Sequence, residues 1–204
     1  MKFDFSEDQH EIRRTAKDLL AKRSTMSKVR EAAEAKAYDD SLWKELAELG
    51  WPGVAISEEI GGGGLGVVEL ASLMEESGYS LAGSPLLASA AAGLAIQEAG
   101  SDSQKAEWLP GLASGELKGS FGVEGALFPD AEGADVIVSV AADGRSAVVG
   151  AGSGFQVEAV DAIDPTRRYA TVTGSGGESM PGDIDAALSL VAIITSAELV
   201  GISL

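Results

Sequence analysis

The sequence contains no cysteine and only one histidine among its 204 residues. The absence of cysteine excludes disulfide bonds and thiolate catalysis. A Ser-His-Asp triad would have to use His10, which lies in a charged stretch near the N-terminus, where a histidine is predicted to be solvated. We therefore expect neither cysteine-based nor triad-based catalysis.

Basic side chains are also scarce, because 15 Lys and Arg stand against 32 Asp and Glu, which gives a formal net charge of -17. This charge repels phosphate backbones, so no nucleic-acid partner is predicted. No run of basic residues indicates a polybasic membrane anchor.

The N-terminal stretch, MKFDFSEDQH, lacks the apolar segment of a signal peptide. The longest apolar run covers residues 184–204 and carries Asp185 and Glu198, which favours a buried protein helix over a membrane span. The expected location is therefore the cytoplasm.

Apolar residues make up 45% of the chain, and in the first half they recur at helical spacing. Ser6 with Gln9 forms a capping box, and Asp40 is predicted to cap a later helix. Gly78 is predicted to end the helix that begins at Val67. The first half of the chain is therefore predicted to be a helical bundle.

One helix of this bundle is predicted to lie at its centre. Ser84 followed by Pro85 is a helix-start signal, and the residues up to Ala99 are apolar on nearly every face. A second capping box at Ser101 opens a short helix that is predicted to end at Pro110. The bundle is also expected to bury the three tryptophans, Trp43, Trp51 and Trp108.

Around Gly115 the pattern changes to short β-prone runs separated by Gly, Asp and Pro. The predicted strands cover residues 121–123, 136–140, 147–149, 155–160 and 170–173. Residues 174–182 are predicted to be a Gly/Ser-rich linker, after which the chain turns helical again. This order predicts an α+β fold with a helical domain at 1–117, a small β-domain at 118–182 and a helical segment at 183–204.

Gly61, Gly63 and Gly66 formally complete a G-x-G-x-x-G pattern that precedes a helix. Such a loop lets backbone N–H groups approach a pyrophosphate, as in a nicotinamide-dependent oxidoreductase. Four adjacent glycines match the pattern easily, however, and the second strand of a dinucleotide-binding unit does not follow. A flexible connection between two helices is the favoured interpretation, and the dinucleotide loop is the alternative.

Two groups of charged residues each have two interpretations. The acid pairs at 58–59 and 75–76 are either metal ligands or paired acids, or they form a solvated acidic face. The solvated face is favoured, and no metal site is predicted, because adjacent acids on a helix diverge and no His or Cys joins them. Arg167 and Arg168 lie in a turn that either binds a phosphate or a partner carboxylate or simply carries surface charge, and surface charge is favoured.

Five widely spaced segments follow one another along the chain: FDFSEDQHEIRRTAKDLLAKR, LWKELAELGWPGVAISEEIGGGGLGVVELASLMEESGYS, SDSQKAEWLPGLASGEL, DPTRRYATVT and ALSLVAIITSAELVGISL. Together they resemble the acyl-CoA dehydrogenase family, with Ser57 and Ile60 in place of the family's usual proline and aromatic residue. The resemblance implies an N-terminal all-α bundle, a reduced middle β-domain, and the first helix of a C-terminal helical bundle that is truncated here.

The resemblance also implies an enzyme that uses FAD and an acyl-CoA substrate. In the family, a glutamate base removes the α proton of the thioester while flavin N5 accepts a hydride, and hydrogen bonds to the thioester carbonyl make that proton acidic. The base and the arginine that meets the FAD pyrophosphate belong to the C-terminal bundle. Both are therefore expected beyond Leu204, and no catalytic residue is assigned within the chain.

The resemblance places the cofactor-binding candidates at the entry to the β-domain, at Phe121, Gly122, Val123 and Glu124. Val123 stands where the family has a flavin-contacting threonine. The Gly-Ser-Asp that usually follows is absent, and the next strands are missing because the chain passes almost directly to Asp135. The flavin site is therefore expected to be reduced.

These features predict an acyl-CoA dehydrogenase subunit that forms a homo- or hetero-oligomer with another subunit of the same family. Alternatively, the chain is a truncated piece of a divergent subunit. FAD is then bound either by this chain or only together with the partner. A non-catalytic structural or interaction subunit on the same fold is the alternative, and a nicotinamide-dependent oxidoreductase is the third hypothesis.

Overall fold

The computed structural model describes residues 4–174 and 176–204. The first three residues, and Ser175 of the predicted linker, lie outside this range. The helices are α1 (Glu7–Arg23), α2 (Met26–Ala35), α3 (Asp40–Glu48), α4 (Val67–Tyr79), α5 (Leu86–Ala99), α6 (Asp102–Ser114) and α7 (Ile184–Ser203). The strands are β1 (Gly119–Val123), β2 (Phe128–Pro129), β3 (Val136–Val140), β4 (Ala147–Ala151), β5 (Gln156–Val160), β6 (Tyr169–Thr173) and β7 (Glu178–Ser179). The predicted α+β class is confirmed.

Side-chain caps fix the starts of several helices. Ser6 and Gln9 form the predicted capping box of α1. The cap of α3 is Asp39 rather than Asp40, because the Asp39 carboxylate accepts hydrogen bonds from the N–H groups of Ser41 and Leu42. With two adjacent aspartates, the residue whose backbone is still extended takes the cap position, and Asp40 becomes the first helical residue.

Helix α5 lies at the centre of the bundle, as its composition predicts, and is buried along most of its length. It packs against α6, α7 and β1. The approach to β1 is close, because a Cβ on Gly119 would lie 2.7 Å from the Cβ of Ala92. Trp43 and Trp51 are buried in the same core, and Trp108 packs at its edge. The first strand is therefore placed directly against the helical core.

Two small sheets follow the bundle. The first has the order β1-β3-β4-β7, with β1 and β3 parallel, and the second has the order β2-β6-β5. Alternate residues of β3 face different cores, since Val136 and Val138 join the helical core whereas Ile137 joins a second core around Phe128. The five predicted strands are present. The predicted linker is wrong in part, because it contains β7, which pairs with β4.

Helix α7 returns to the bundle and packs against α4 and α5. It is the one helix in the described ranges that is long and apolar enough to cross a membrane by length and composition, and only 22% of its most apolar window is buried. The sequence prediction of a buried helix therefore holds for one face only. The opposite face exposes apolar side chains at Ile193, Leu199, Val200, Ile202 and Leu204.

Candidate functional site

The four cofactor-binding candidates lie at the end of β1. The Phe121 side chain is buried in the helical core, and Gly122 faces the other way, where a Cβ would lie 2.6 Å from the Phe128 ring. Val123 is partly buried against the helical core, and only Glu124 is exposed. The strand therefore turns three of the four residues toward packed protein.

In the part of the chain that the structure describes, the main chain at this site pairs on one side only, because β1 is the edge strand of its sheet. Residues 119–123 pair with β3 in parallel register. The N–H of Glu124 donates to the Val140 carbonyl at 2.8 Å, and that of Ala126 donates to the Val123 carbonyl at 2.9 Å, which closes a tight turn. This turn replaces the longer connection that the resemblance implies.

These residues do not by themselves fit an FAD. A flavin ring needs main-chain or hydroxyl donors on an open face, whereas the side chains of Phe121 and Val123 pack against the helical core and Val123 has no hydroxyl. The carboxylate of Glu124 is the one exposed polar side chain among the four, and it would repel a pyrophosphate. The chain thus offers at most one edge of a flavin site at these positions.

The glycine loop connects two helices, as predicted, and its main chain is hydrogen-bonded. The N–H groups of Gly62, Gly63 and Gly64 donate to the carbonyls of Ser57, Gly53 and Ile56 at 2.8–3.0 Å. The N–H of Gly66 donates to the carboxylate of Glu69 at 2.9 Å. A pyrophosphate loop needs these donors free, so the geometry also argues against a dinucleotide site.

One acid pair is not the solvated face that the sequence favours. Glu75 and Glu76 both bind Arg13 of α1, and the Arg13 Nε lies 2.9 Å from Glu76 Oε1. Their hydrogen bonds and charge raise the pKa of Arg13, led by the bond to Glu76 and only partly offset by burial. Glu58 and Glu59 are exposed as predicted. Within the described ranges, no group of three or more His, Cys, Asp or Glu could hold a metal ion.

The arginine turn is the main correction to the sequence interpretation. Arg167 is not surface charge: it donates to Glu198 Oε1 of α7 at 2.8 Å, and the two side chains are 13% and 8% exposed. Burial alone would lower the pKa of Arg167, but Glu198, Tyr38 and Asp130 more than offset that effect, so its pKa is raised. The carboxylate that Arg167 binds thus belongs to the same chain.

Sequence reasoning missed the other members of this cluster. The Tyr38 hydroxyl donates to Asp130 Oδ1 at 2.7 Å, and burial raises the pKa of both side chains, that of Asp130 to about 6. No local pattern marks Tyr38 or Asp130. Glu198 did carry a signal, because it is an acid among apolar residues of α7, and a buried charge there needs a partner.

With this architecture established, comparisons with known proteins decide the family. The N-terminal domain of acyl-CoA dehydrogenases matches residues 6–116. The chain belongs to the acyl-CoA dehydrogenase family. The acyl-CoA dehydrogenase IpdE2 of Mycobacterium tuberculosis is 32% identical over 200 residues, which are 96% of this chain and 60% of IpdE2. The chain thus spans about 60% of the length of this curated acyl-CoA dehydrogenase.

Solved structures of the acyl-CoA dehydrogenase fold agree. A variant of the Tcur3481–Tcur3483 steroid ACAD is 25% identical, has a TM-score of 0.77, and covers 94% of this chain and 61% of its own. The ChsE4–ChsE5 complex of Mycobacterium tuberculosis has a TM-score of 0.81 at 20% identity, and covers 98% of this chain and 65% of its own. The second likeness concerns the fold alone.

Proposed function

We propose that the chain is a subunit of an FAD-dependent acyl-CoA dehydrogenase, which removes hydrogens from the α and β carbons of an acyl-CoA thioester. It works in an oligomer with another acyl-CoA dehydrogenase subunit, with which it shares the flavin site. FAD would supply the redox chemistry of the assembled enzyme, and this chain would supply part of the surface around it.

The outer face of α7 is the observation that carries the proposal of a partner. Leu199 and Val200 are 60% and 50% exposed, and the one charge in the middle of the helix, Glu198, points inward to Arg167. A solvated helix usually turns its charged side chains to solvent and its apolar side chains to the core. Helix α7 does the opposite at these positions, and such an exposed apolar face is typical of a protein interface. Two matched solved structures are named as pairs of chains, Tcur3481–Tcur3483 and ChsE4–ChsE5.

The few contacts that β1 offers to a flavin support a flavin site that is shared with a partner subunit. Because Phe121, Gly122 and Val123 face packed protein, a flavin beside β1 needs most of its contacts from another surface. The base that removes the α proton would also come from outside the described residues. This chain would then contribute fold and contact area rather than the reacting groups.

A non-catalytic interaction subunit on the same fold is the second candidate. The packing of Val123 against the helical core, where the family has a hydroxyl, favours it. The two candidates differ in what Glu124→Gln does in the assembled complex. A shared flavin site predicts a changed flavin spectrum or turnover, whereas a purely structural subunit predicts neither.

The test is a visible absorption spectrum of the chain purified alone and co-expressed with acyl-CoA dehydrogenase partners, followed by size-exclusion chromatography. The expected result is flavin colour and acyl-CoA oxidation only in the mixed complex. Leu199→Glu should prevent the complex while leaving the thermal unfolding of the isolated chain nearly unchanged, because this side chain is exposed. Glu158→Gln, an exposed change on β5, is the matched control.

Two results would contradict the proposal. A mixed complex that contains flavin but oxidises no acyl-CoA of any chain length removes the enzymatic assignment. Full flavin loading of the chain alone would show that the flavin site is not shared.

A further inference from the structure

A buried chain of polar side chains joins parts of the molecule that are distant in sequence. Arg167 contacts Glu198 of α7 at 2.8 Å, and Tyr38 donates to Asp130 at 2.7 Å. Arg167 joins the two pairs through the main chain of its neighbour Arg168, whose N–H donates to the Tyr38 hydroxyl oxygen and whose carbonyl accepts the N–H of Asp130. The two contacts are therefore one cluster.

Arg168 extends the cluster in the opposite direction. Its N–H donates to the Tyr38 hydroxyl oxygen at 3.3 Å, and its guanidinium lies 5.3 Å from the Tyr38 ring centroid and donates to the Ala32 carbonyl at 3.2 Å. The backbone carbonyl of Arg168 accepts the N–H of Asp130 at 3.0 Å. Two consecutive arginines thus hold α7 on one side and the segment between α2 and α3 on the other.

Asp130 ends the turn that follows the cofactor-binding candidates. Its backbone is left-handed, with φ of 56°, an uncommon conformation for a residue other than glycine. Just before it, the Pro129 carbonyl accepts a hydrogen bond from the Ser120 hydroxyl at 2.6 Å. Residues 124–129 are therefore fixed by the sheet at one end and by the buried cluster at the other.

Glu198 stands at the other end of the cluster, next to the proposed partner surface. Leu199 and Val200 follow it directly and belong to the exposed face of α7. A protein that packs on these two side chains therefore contacts the same helical turn that contains Glu198. A buried ion pair resists separation, because removing one partner leaves an uncompensated charge.

We propose that the cluster of Tyr38, Asp130, Arg167, Arg168 and Glu198 is a mechanical link that transmits the position of α7 to the turn at residues 124–129. Docking on the outer face of α7 and the geometry of the turn beside β1 are then coupled, and the coupling acts equally in both directions. The link itself exists without any ligand. Its consequence for a cofactor rests on the proposed function.

The test is amide hydrogen exchange by NMR on the full chain without ligand, in the wild type and in Glu198→Gln. The N–H groups of Glu124, Ala126 and Asp130 are all hydrogen-bonded and serve as probes of the turn. We expect exchange at Ala126 and Asp130 to become roughly tenfold faster in the variant, because the turn loses its distant anchor.

Two controls separate the link from general loosening. The N–H of Gly144, bonded to the Ala141 carbonyl at 2.8 Å in another turn, should keep its exchange rate in Glu198→Gln. Asp161→Asn, which breaks an exposed ion pair with Lys36, should change none of the probes. Acceleration confined to α7, or equal acceleration at Gly144, would overturn the proposal.

Two further variants keep the proposal testable. If Glu198→Gln does not fold, Arg167→Lys keeps the charge but loses the forked donor geometry, and the same probes are expected to respond. In the reverse direction, Asp130→Asn should accelerate exchange in the last turn of α7. Unchanged exchange in that turn would reject the link. Because the measurement is made without flavin, it does not depend on the proposed flavin site.

Discussion

Gly78 of α4 and Gly201 of α7 form a reciprocal backbone contact between their helices. A Cβ on Gly78 would overlap the carbonyl oxygen of Glu198, and a Cβ on Gly201 would overlap that of Glu75. The two helices therefore approach until backbone meets backbone. This contact sets the position of α7, and with it that of the buried Glu198 side chain.

Gly201→Ala should force α4 and α7 apart. We expect the free energy of unfolding to fall by about 1–3 kcal/mol, the usual cost of overpacking, with more if the helices separate. Urea unfolding followed by circular dichroism measures the change. Gly133→Ala is the matched control, because a Cβ there meets nothing within 4 Å. An equal effect of both substitutions would refute the role of the close contact.

Arg167→Met should destabilise the fold strongly, because it leaves the Glu198 carboxylate buried without its partner. The expected loss is about 3–5 kcal/mol, the range for breaking a buried ion pair from one side. Arg145→Met, at an exposed arginine in the β3–β4 turn, should lie within about 0.5 kcal/mol of the wild type. Chemical denaturation of the three proteins distinguishes these outcomes, and a small effect at Arg167 would mean that Glu198 finds other partners.

Asp130 predicts a specific pH dependence of stability. Burial, only partly offset by Tyr38 and the arginines, raises the pKa of its carboxyl from 3.8 to about 6. The folded protein therefore holds this proton more tightly than the unfolded chain between these pH values. The free energy of unfolding should fall as pH rises through this window, by up to ~3 kcal/mol from this group.

Asp130→Asn isolates that contribution, because Asn cannot titrate and also tolerates the left-handed backbone. The stability difference between wild type and variant, measured in urea from pH 4 to pH 7, should shift toward the variant as pH rises. The lowered pKa values of Asp39 and Glu69 act in the opposite direction but cancel in the difference. A pH-independent difference would mean that Asp130 titrates normally.

The glycine loop predicts that nicotinamide cofactors do not bind. The N–H groups of Gly62, Gly63 and Gly64 donate to carbonyls of residues 53–57, so these three donors are not available to a pyrophosphate. NAD or NADP in large excess should leave the thermal unfolding temperature unchanged, since a ligand raises it only by binding the folded state. A clear rise would restore the dinucleotide hypothesis.

Several elements could be predicted from the sequence because their causes are local. Ser6 and Gln9 cap α1 through bonds across three residues, and the composition of α5 alone requires burial on most sides. The predicted strands follow short β-prone runs bounded by turn residues. The ordered family resemblance was equally readable, and the match to residues 6–116 confirms it.

Other predictions failed where distant residues overrode a local signal. Gly78 was expected to end α4, yet the helix continues to Tyr79, because the glycine serves the contact with α7. Pro110 was expected to end α6, yet the helix continues to Ser114, where Leu112 and Ala113 are buried in the core. Burial of these side chains outweighs one lost backbone hydrogen bond.

The candidate site also has features that the sequence predicts and others that only the structure reveals. Its location at Phe121, Gly122, Val123 and Glu124 came from the sequence by resemblance, and that cofactor role remains a prediction. The sequence by itself determined most of the helical and strand segments, the family, and the presence of an acid at position 198 within an apolar stretch. Only the tertiary structure decided that Glu198 binds Arg167 and that Asp130 binds Tyr38. Such pairs depend on segments brought together by packing, which no local pattern encodes.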